Sequence, residues 1–199
     1  LFLFAVMYVV FVHFLRFGQD VPHFVSALLL GIVLWTFFVE TVTQGMQSIV
    51  NRGDLIRKIS FPKYIIVVSS SLSALINLVI NLLVVLAVML IDGVDFGWSA
   101  LLFPITILFI YIMSLALALL FSAVYVKYRD LGPIWEVLVQ ALFYATPIIY
   151  PLQMVIATNA AAAHFLMLSP IAVLFQDARA QLVGADGVVT AQQLFSNPI

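Results

Sequence analysis

Long apolar runs separated by short polar turns organise this chain. It opens on LFLFAVMYVVFVHFL, residues 1–15. Fifteen residues make about 22 Å of helix at ~1.5 Å per residue, short of the ~30 Å hydrocarbon core. No charged segment precedes this run and no small-residue cleavage site follows it. It therefore reads as a first span without its beginning rather than as a signal peptide. A second run, 24–50, follows Pro22 and closes at Asn51-Arg52-Gly53, and a third, 64–91, closes at Asp92-Gly93. The fourth covers 98–126. The fifth, 133–150, opens on Pro133, a residue well tolerated at a helix start because its missing N–H would be unpaired there. Uninterrupted runs of this length predict helices, not barrel strands, which would alternate at every second residue. The fold class expected is an all-α polytopic membrane helix bundle.

The pattern changes after Tyr150. Pro151 and Pro170 bracket two shorter stretches, 152–168 and 171–183, the first broken by Thr158 and Asn159, the second carrying Gln176, Asp177 and Arg179. Neither is long and apolar enough to cross. Composition leaves two readings of 151–184 open: a re-entrant or interfacial helix pair, or a loop lying on the outer bilayer surface.

Lys and Arg placement orients the spans. Arg52, Arg57, Lys58 and Lys63 follow the second span and Lys127 and Arg129 follow the fourth, so six of the eight basic residues fall on one side, the cytoplasmic one. With 65% hydrophobic and 9% charged residues, the chain is neither an ordinary soluble domain nor a disordered one. A net charge of −1 gives no basic field for nucleic acid, and the absence of cysteine removes disulfides and thiolate metal sites.

Catalytic chemistry is hard to place. His13, His23 and His164 are scattered, no metal-ligand spacing occurs, and there is no phosphate-binding Gly-rich loop. No catalytic or metal residue is expected, and any ATP chemistry must come from elsewhere. The polar residues within spans do form helical stripes: Thr36, Glu40, Gln44 and Gln47; Ser70, Ser73, Asn77 and Asn81; Glu136, Gln140 and Tyr144. Small and amide residues of this kind commonly join membrane helices, and Ser114, Ala118 and Ser122 in the fourth span suit close packing. Glu40 and Glu136 are costly in a bilayer and suggest a wet path, although both lie toward the cytoplasmic ends of their helices, from which they can also reach the interface. Candidate path-lining residues are Glu40, Gln44, Asn77, Asn81, Glu136, Gln140 and Tyr144. Phe37, Phe38, Tyr144 and Tyr150 are available as a stacking surface for sugar rings.

Between the second and third spans lies NRGDLIRKISFPKY. Asp54 is placed to cap a short helix, Leu55, Ile56 and Ile59 form one apolar face, Arg57 and Lys58 project elsewhere, and Pro62 ends the helix. This is either a headgroup-anchored loop or a docking helix for a cytoplasmic partner.

Three blocks carry a family resemblance: NRGDLIRKISFPKY, VYVKYRDLGPI between spans four and five, and FYATPIIYP at the outer end of span five; LSPIAVLFQDARAQLVG is a weaker fourth, with Ser169 where Asn is usual. Together they resemble the ABC-2-type exporter permeases that move polysaccharides such as O-antigen, capsule and teichoic acid. The resemblance implies a homodimeric permease in the bacterial inner membrane, moving a lipid-linked glycan. It also implies a separate subunit that binds ATP and Mg and supplies the power. It assigns Asp54, Leu55, Ile56, Arg57, Lys58, Phe61 and Pro62 to the coupling helix that seats in that ATPase. It places Arg129 and Asp130 at the cytoplasmic entrance, where they either meet a lipid-linked pyrophosphate or only order a turn. It places Thr146, Pro147, Tyr150, Pro151 and Pro170 at an outer gate and favours the re-entrant pair over 151–184. It also implies a cytoplasmic helix before span one and a sixth span after the gate, so the 199 residues read as a transmembrane domain truncated at both ends. Competing readings are a drug or small-lipid exporter, an integral-membrane enzyme on lipid-linked sugars, and a passive channel.

Overall fold

The computed structural model of the chain describes residues 23–53, 62–184, 188, 190 and 194. The expected first span, over 1–15, and Asp54–Phe61 of the expected coupling helix lie outside the described residues. Seven α-helices follow in order among those described: α1 Phe24–Asn51, α2 Tyr64–Ile91, α3 Phe103–Lys127, α4 Leu131–Ala145, α5 Leu152–Thr158, α6 Ala160–Leu166 and α7 Pro170–Val183. A 3-10 turn, Trp98–Leu102, leads into α3, and no strand occurs among the described residues. Three helical stretches are long and apolar enough to cross a membrane: α1, α2 and the turn with α3.

A helix that buries most of its circumference belongs inside a bundle. α1 is such a helix, and α2, α3 and α7 pack around it. Its Leu30, Leu34, Phe38, Val42 and Met46 are fully enclosed. α2 and α3 each offer α1 a single stripe. On α3 the stripe is Thr106, Ile110, Ser114, Ala118 and Ser122, spaced by four as one helix face requires. Their other faces expose Ile76, Ile80 and Leu83 on α2 and Leu108, Phe109 and Ile112 on α3, a surface suited to lipid. Most of the buried serines on these stripes are satisfied without a partner across the bundle. Ser70, Ser114 and Ser122 donate to carbonyls three or four residues back in their own helices. Small side chains let the axes approach: a Cβ added to Gly45 on α1 would lie 2.6 Å from the Ala118 Cβ and 3.2 Å from Val67 on α2. At the end opposite the basic loops, Ser26 donates to Asp92 Oδ2 at 2.6 Å and His23 Nδ1 stands 3.4 Å from the same oxygen, joining the start of α1 to the end of α2.

α4 departs from the expected fifth span of 133–150. It begins at Leu131 and stops at Ala145. Proline drives the residue before it out of helical backbone, and Thr146, which precedes Pro147, is extended at φ −93° and ψ 132°. At 15 residues, α4 is about 22 Å long and does not span the core alone. Beyond it, α5, α6 and the start of α7 enclose a small second core of Leu152, Ala163, Met167 and Ala172. α7 lies against α1 and the start of α3, where Ser99 Oγ donates to the Gln181 carbonyl at 3.1 Å and the Thr106 hydroxyl to Gln181 Oε1 at 2.8 Å.

Candidate functional site

Along the middle of α1 one face stays open. Thr36 is exposed, and Val39, Glu40, Thr43, Gln44 and Gln47 are half-buried. Their spacing of three and one places them on one side of the helix. All but Val39 are polar, and a polar strip at membrane depth belongs against protein or a water-filled path rather than lipid. Trp35, Thr36, Val39, Glu40, Thr43 and Gln44 line a trough of about 390 Å³.

The trough has two flanks. On one, Asn77 of α2 donates from Nδ2 to Glu40 Oε1 at 2.6 Å, and Gln44 Nε2 donates to the same oxygen at 2.8 Å. Asn81 Nδ2 bonds the Asn77 carbonyl at 2.8 Å and holds that part of α2 in place. On the other flank, the Trp135 indole N–H of α4 donates to Thr43 Oγ1 at 2.9 Å. Glu40 stands 11 residues before the end of α1, about 16 Å along the axis. Its carboxylate is engaged by amides of the bundle at that depth. Of the seven path-lining candidates, Glu40, Gln44, Asn77 and Asn81 are thus brought together. Glu136, Gln140 and Tyr144 lie on an exposed face of α4, and no hydrogen bond joins them to that group among the described residues.

The stacking surface suggested by the sequence does not form as a set. Phe37 is 2% exposed and stacks on Tyr111, while Phe38 is fully enclosed between Trp35 and Trp135. Both belong to the core, because α1 is the central helix and these positions face its neighbours. Tyr144, 67% exposed, stays open, and its carbonyl accepts from the half-buried Tyr150 hydroxyl at 2.9 Å.

At the end opposite the basic loops, Thr146 and Pro147 are buried, Pro151 sits at the N-cap of α5, and Pro170 is the first residue of α7. Sequence reasoning passed over the residue that binds this region together. Arg179 of α7 is buried, with Nε donating to the Ala27 carbonyl at 3.1 Å, one terminal nitrogen to Pro147 O at 2.6 Å and the other to Ile148 O. No carboxylate pairs with it among the described residues. Its guanidinium occupies the notch above Gly31, where any Cβ would collide with it. The available signal was a lone arginine inside an apolar stretch, which must find acceptors or reach the interface. Burial also pushes the neighbouring Asp177 carboxyl and the Tyr150 phenol above their ordinary values.

At the end that carries the basic loops, Arg129 and Asp130 are exposed in the turn from α3 to α4. Asp130 holds the N-cap position of α4 without a side-chain bond, and its carbonyl accepts from Ile134. Pro62 is exposed; Asp54, Leu55, Ile56, Arg57, Lys58 and Phe61 lie outside the described residues. No group of three metal-ligating side chains occurs among the described residues.

Apolar helices wrapped around a central one with an open polar face define an integral-membrane helix bundle. The chain belongs to the ABC-2 type transporter family, whose model matches residues 1–182. It is 32% identical over 157 residues to the O-antigen export system permease protein RfbA of Myxococcus xanthus, covering 77% of this chain and 58% of that protein. Two Klebsiella pneumoniae proteins of the same name are 25% and 23% identical, each over 77% of this chain and 59% of its own length. The chain therefore spans less than two thirds of the curated relatives it matches.

Proposed function

We propose that this chain is the membrane part of a bacterial inner-membrane ABC exporter that carries a lipid-linked polysaccharide outward. Two copies enclose the path, and a separate ATPase subunit binds ATP and Mg. The reading rests chiefly on the open polar strip of α1, held at membrane depth by the Glu40, Gln44 and Asn77 bonds. Thr36, Glu40, Thr43 and Gln44 supply hydrogen-bonding groups for a hydrated sugar chain along a trough whose remaining surface, including Trp35 and Val39, is apolar. An enzyme on lipid-linked sugars would need a cluster of acids, histidines or metal ligands at the interface; the described residues hold the His23–Asp92 pair but no group of three metal-ligating side chains. The names of the relatives support the glycan class.

In this mechanism the Asp54–Phe61 helix seats in a cleft of the ATPase. Motion driven by ATP reaches α1 and α2, which the segment joins. Arg129 receives the lipid-linked pyrophosphate by bidentate hydrogen bonding, which a planar guanidinium suits. Pro62, Thr146, Pro147, Tyr150, Pro151 and Pro170 shape the two ends of the route.

The test is complementation of a strain that lacks the full-length permease but keeps its ATPase. Wild-type permease should restore surface glycan. Arg57→Glu with Lys58→Glu should not, and should lower recovery of the ATPase with the permease at least tenfold. Normal surface glycan in the uncomplemented strain would sink the export reading. Undiminished ATPase recovery with the double variant would sink the docking assignment.

A further inference from the structure

We infer that the trough selects uncharged, hydroxyl-rich glycan chains and rejects polyanionic ones, with Glu40 as the specificity-determining residue. This rests on the export reading above. The charge distribution carries it. Helices α1, α2 and α4 contain no lysine or arginine, and α3 has only Lys127, at its last position. The acids within these four helices are Glu40 and Glu136. Every charge they bring to membrane depth is therefore negative. Arg52, Lys63, Lys127 and Arg129 sit at helix ends, where they suit the anionic head of a lipid carrier, and the buried Arg179 of α7 spends its guanidinium on the carbonyls of Ala27, Pro147 and Ile148, away from the trough lining.

The geometry gives Glu40 a specific task. Both amide donors, Asn77 Nδ2 and Gln44 Nε2, engage Oε1. Oε2 has no partner among the described residues and is left as an acceptor beside the trough. An ionised carboxylate only accepts, so what it can bind is a donor: the hydroxyls of a sugar ring qualify, and a phosphate diester or carboxylate on the chain does not. Thr36 and Thr43 supply hydroxyls that adapt as donor or acceptor, and the Gln44 amide offers both. An acidic chain would meet like charge within a few ångströms in the trough, well inside the distance over which salt screens charges.

The experiment uses the full-length permease with its ATPase in proteoliposomes. Two probes are compared: a lipid-pyrophosphate-linked uncharged hexose oligosaccharide, and the same oligosaccharide carrying one phosphate per repeat. Wild type should translocate the uncharged probe at least tenfold faster. Glu40→Gln should shrink that ratio to about threefold or less. Thr36→Lys, which sets a cation one turn from Glu40 and leaves the Asn77 and Gln44 bonds in place, should shrink it too. ATP hydrolysis by each complex reports assembly. Because the ATPase is the same throughout, a change in ratio belongs to the permease. An unchanged ratio in both variants, or equal translocation of the two probes by wild type, overturns the inference and leaves the export reading standing. Translocation of neither probe by wild type removes both. A disulfide linking residue-44 cysteines of two copies in every nucleotide state would mean that a second copy fills the trough, and would also overturn the inference.

Discussion

A guanidinium enclosed among apolar side chains is costly unless its N–H groups find acceptors. Arg179 finds three, the carbonyls of Ala27, Pro147 and Ile148, on two different parts of the chain. Those carbonyls are available because Pro147 cannot continue α4 and because Gly31 leaves room beside α1. The arrangement depends on the planar fork of arginine, which lysine, a point charge on a flexible stem, does not reproduce. Arg179→Lys should therefore destabilise the permease by about 2 kcal/mol or more, since buried carbonyls lose their donors. Gly31→Ala should cost on the order of 1–3 kcal/mol by displacing the guanidinium. Thermal unfolding of the full-length permease in lipid nanodiscs checks both, and an unshifted midpoint for Gly31→Ala would count against the notch. Sequence alone showed an arginine in an apolar stretch. It could not show that the carbonyls lie across the fold, because those contacts span 152, 32 and 31 residues of chain.

Among the elements, α1 is set by close approach as much as by apolar area. Gly45 admits Ala118 of α3 and Val67 of α2, and the serines on the buried stripes satisfy themselves within their own helices. Gly45→Ala should then destabilise by about 1–3 kcal/mol. Ala118→Gly in the same background should recover most of that loss, a coupling that a double-mutant cycle in nanodiscs measures directly. Additive effects would mean that the two sites do not touch. The all-α character was legible in runs too long and too continuous for strands. The end of α4 was harder to read, because Ile148, Ile149 and Tyr150 prolong the apolar run beyond the helix. Pro147 held the cue: its restriction falls on Thr146, one residue upstream, and stops the helix at Ala145.

At the scale of the whole molecule, the polar stripes of the sequence acquire meaning from the rotation of each helix about its axis. Spacing places Glu40 with Gln44, and Asn77 with Asn81, on single faces; it does not say that those faces meet. In the bundle they do, and Asn77 reaches Glu40 across 37 residues of chain. The Glu136, Gln140 and Tyr144 stripe has the same regularity and stays apart from them, on an exposed face of α4. Phe37 and Phe38 show the same limit from the other side: their aromatic character was plain, but whether they faced cargo or core depended on which helix became central. α1 did, and both became core.

The one-signed lining of the trough has an electrical consequence. A continuous water column past Glu40, with no lysine or arginine beside it, would have the character of a cation filter. A complex trapped open should pass potassium in preference to chloride, and Glu40→Gln should weaken that preference. The reversal potential of the trapped complex in a planar bilayer under a potassium chloride gradient measures it, and an anion-preferring pore would contradict the lining described. Such a route can stay open only while cargo plugs it. Left empty and wet, it would short-circuit the ion gradients of the membrane in which it works.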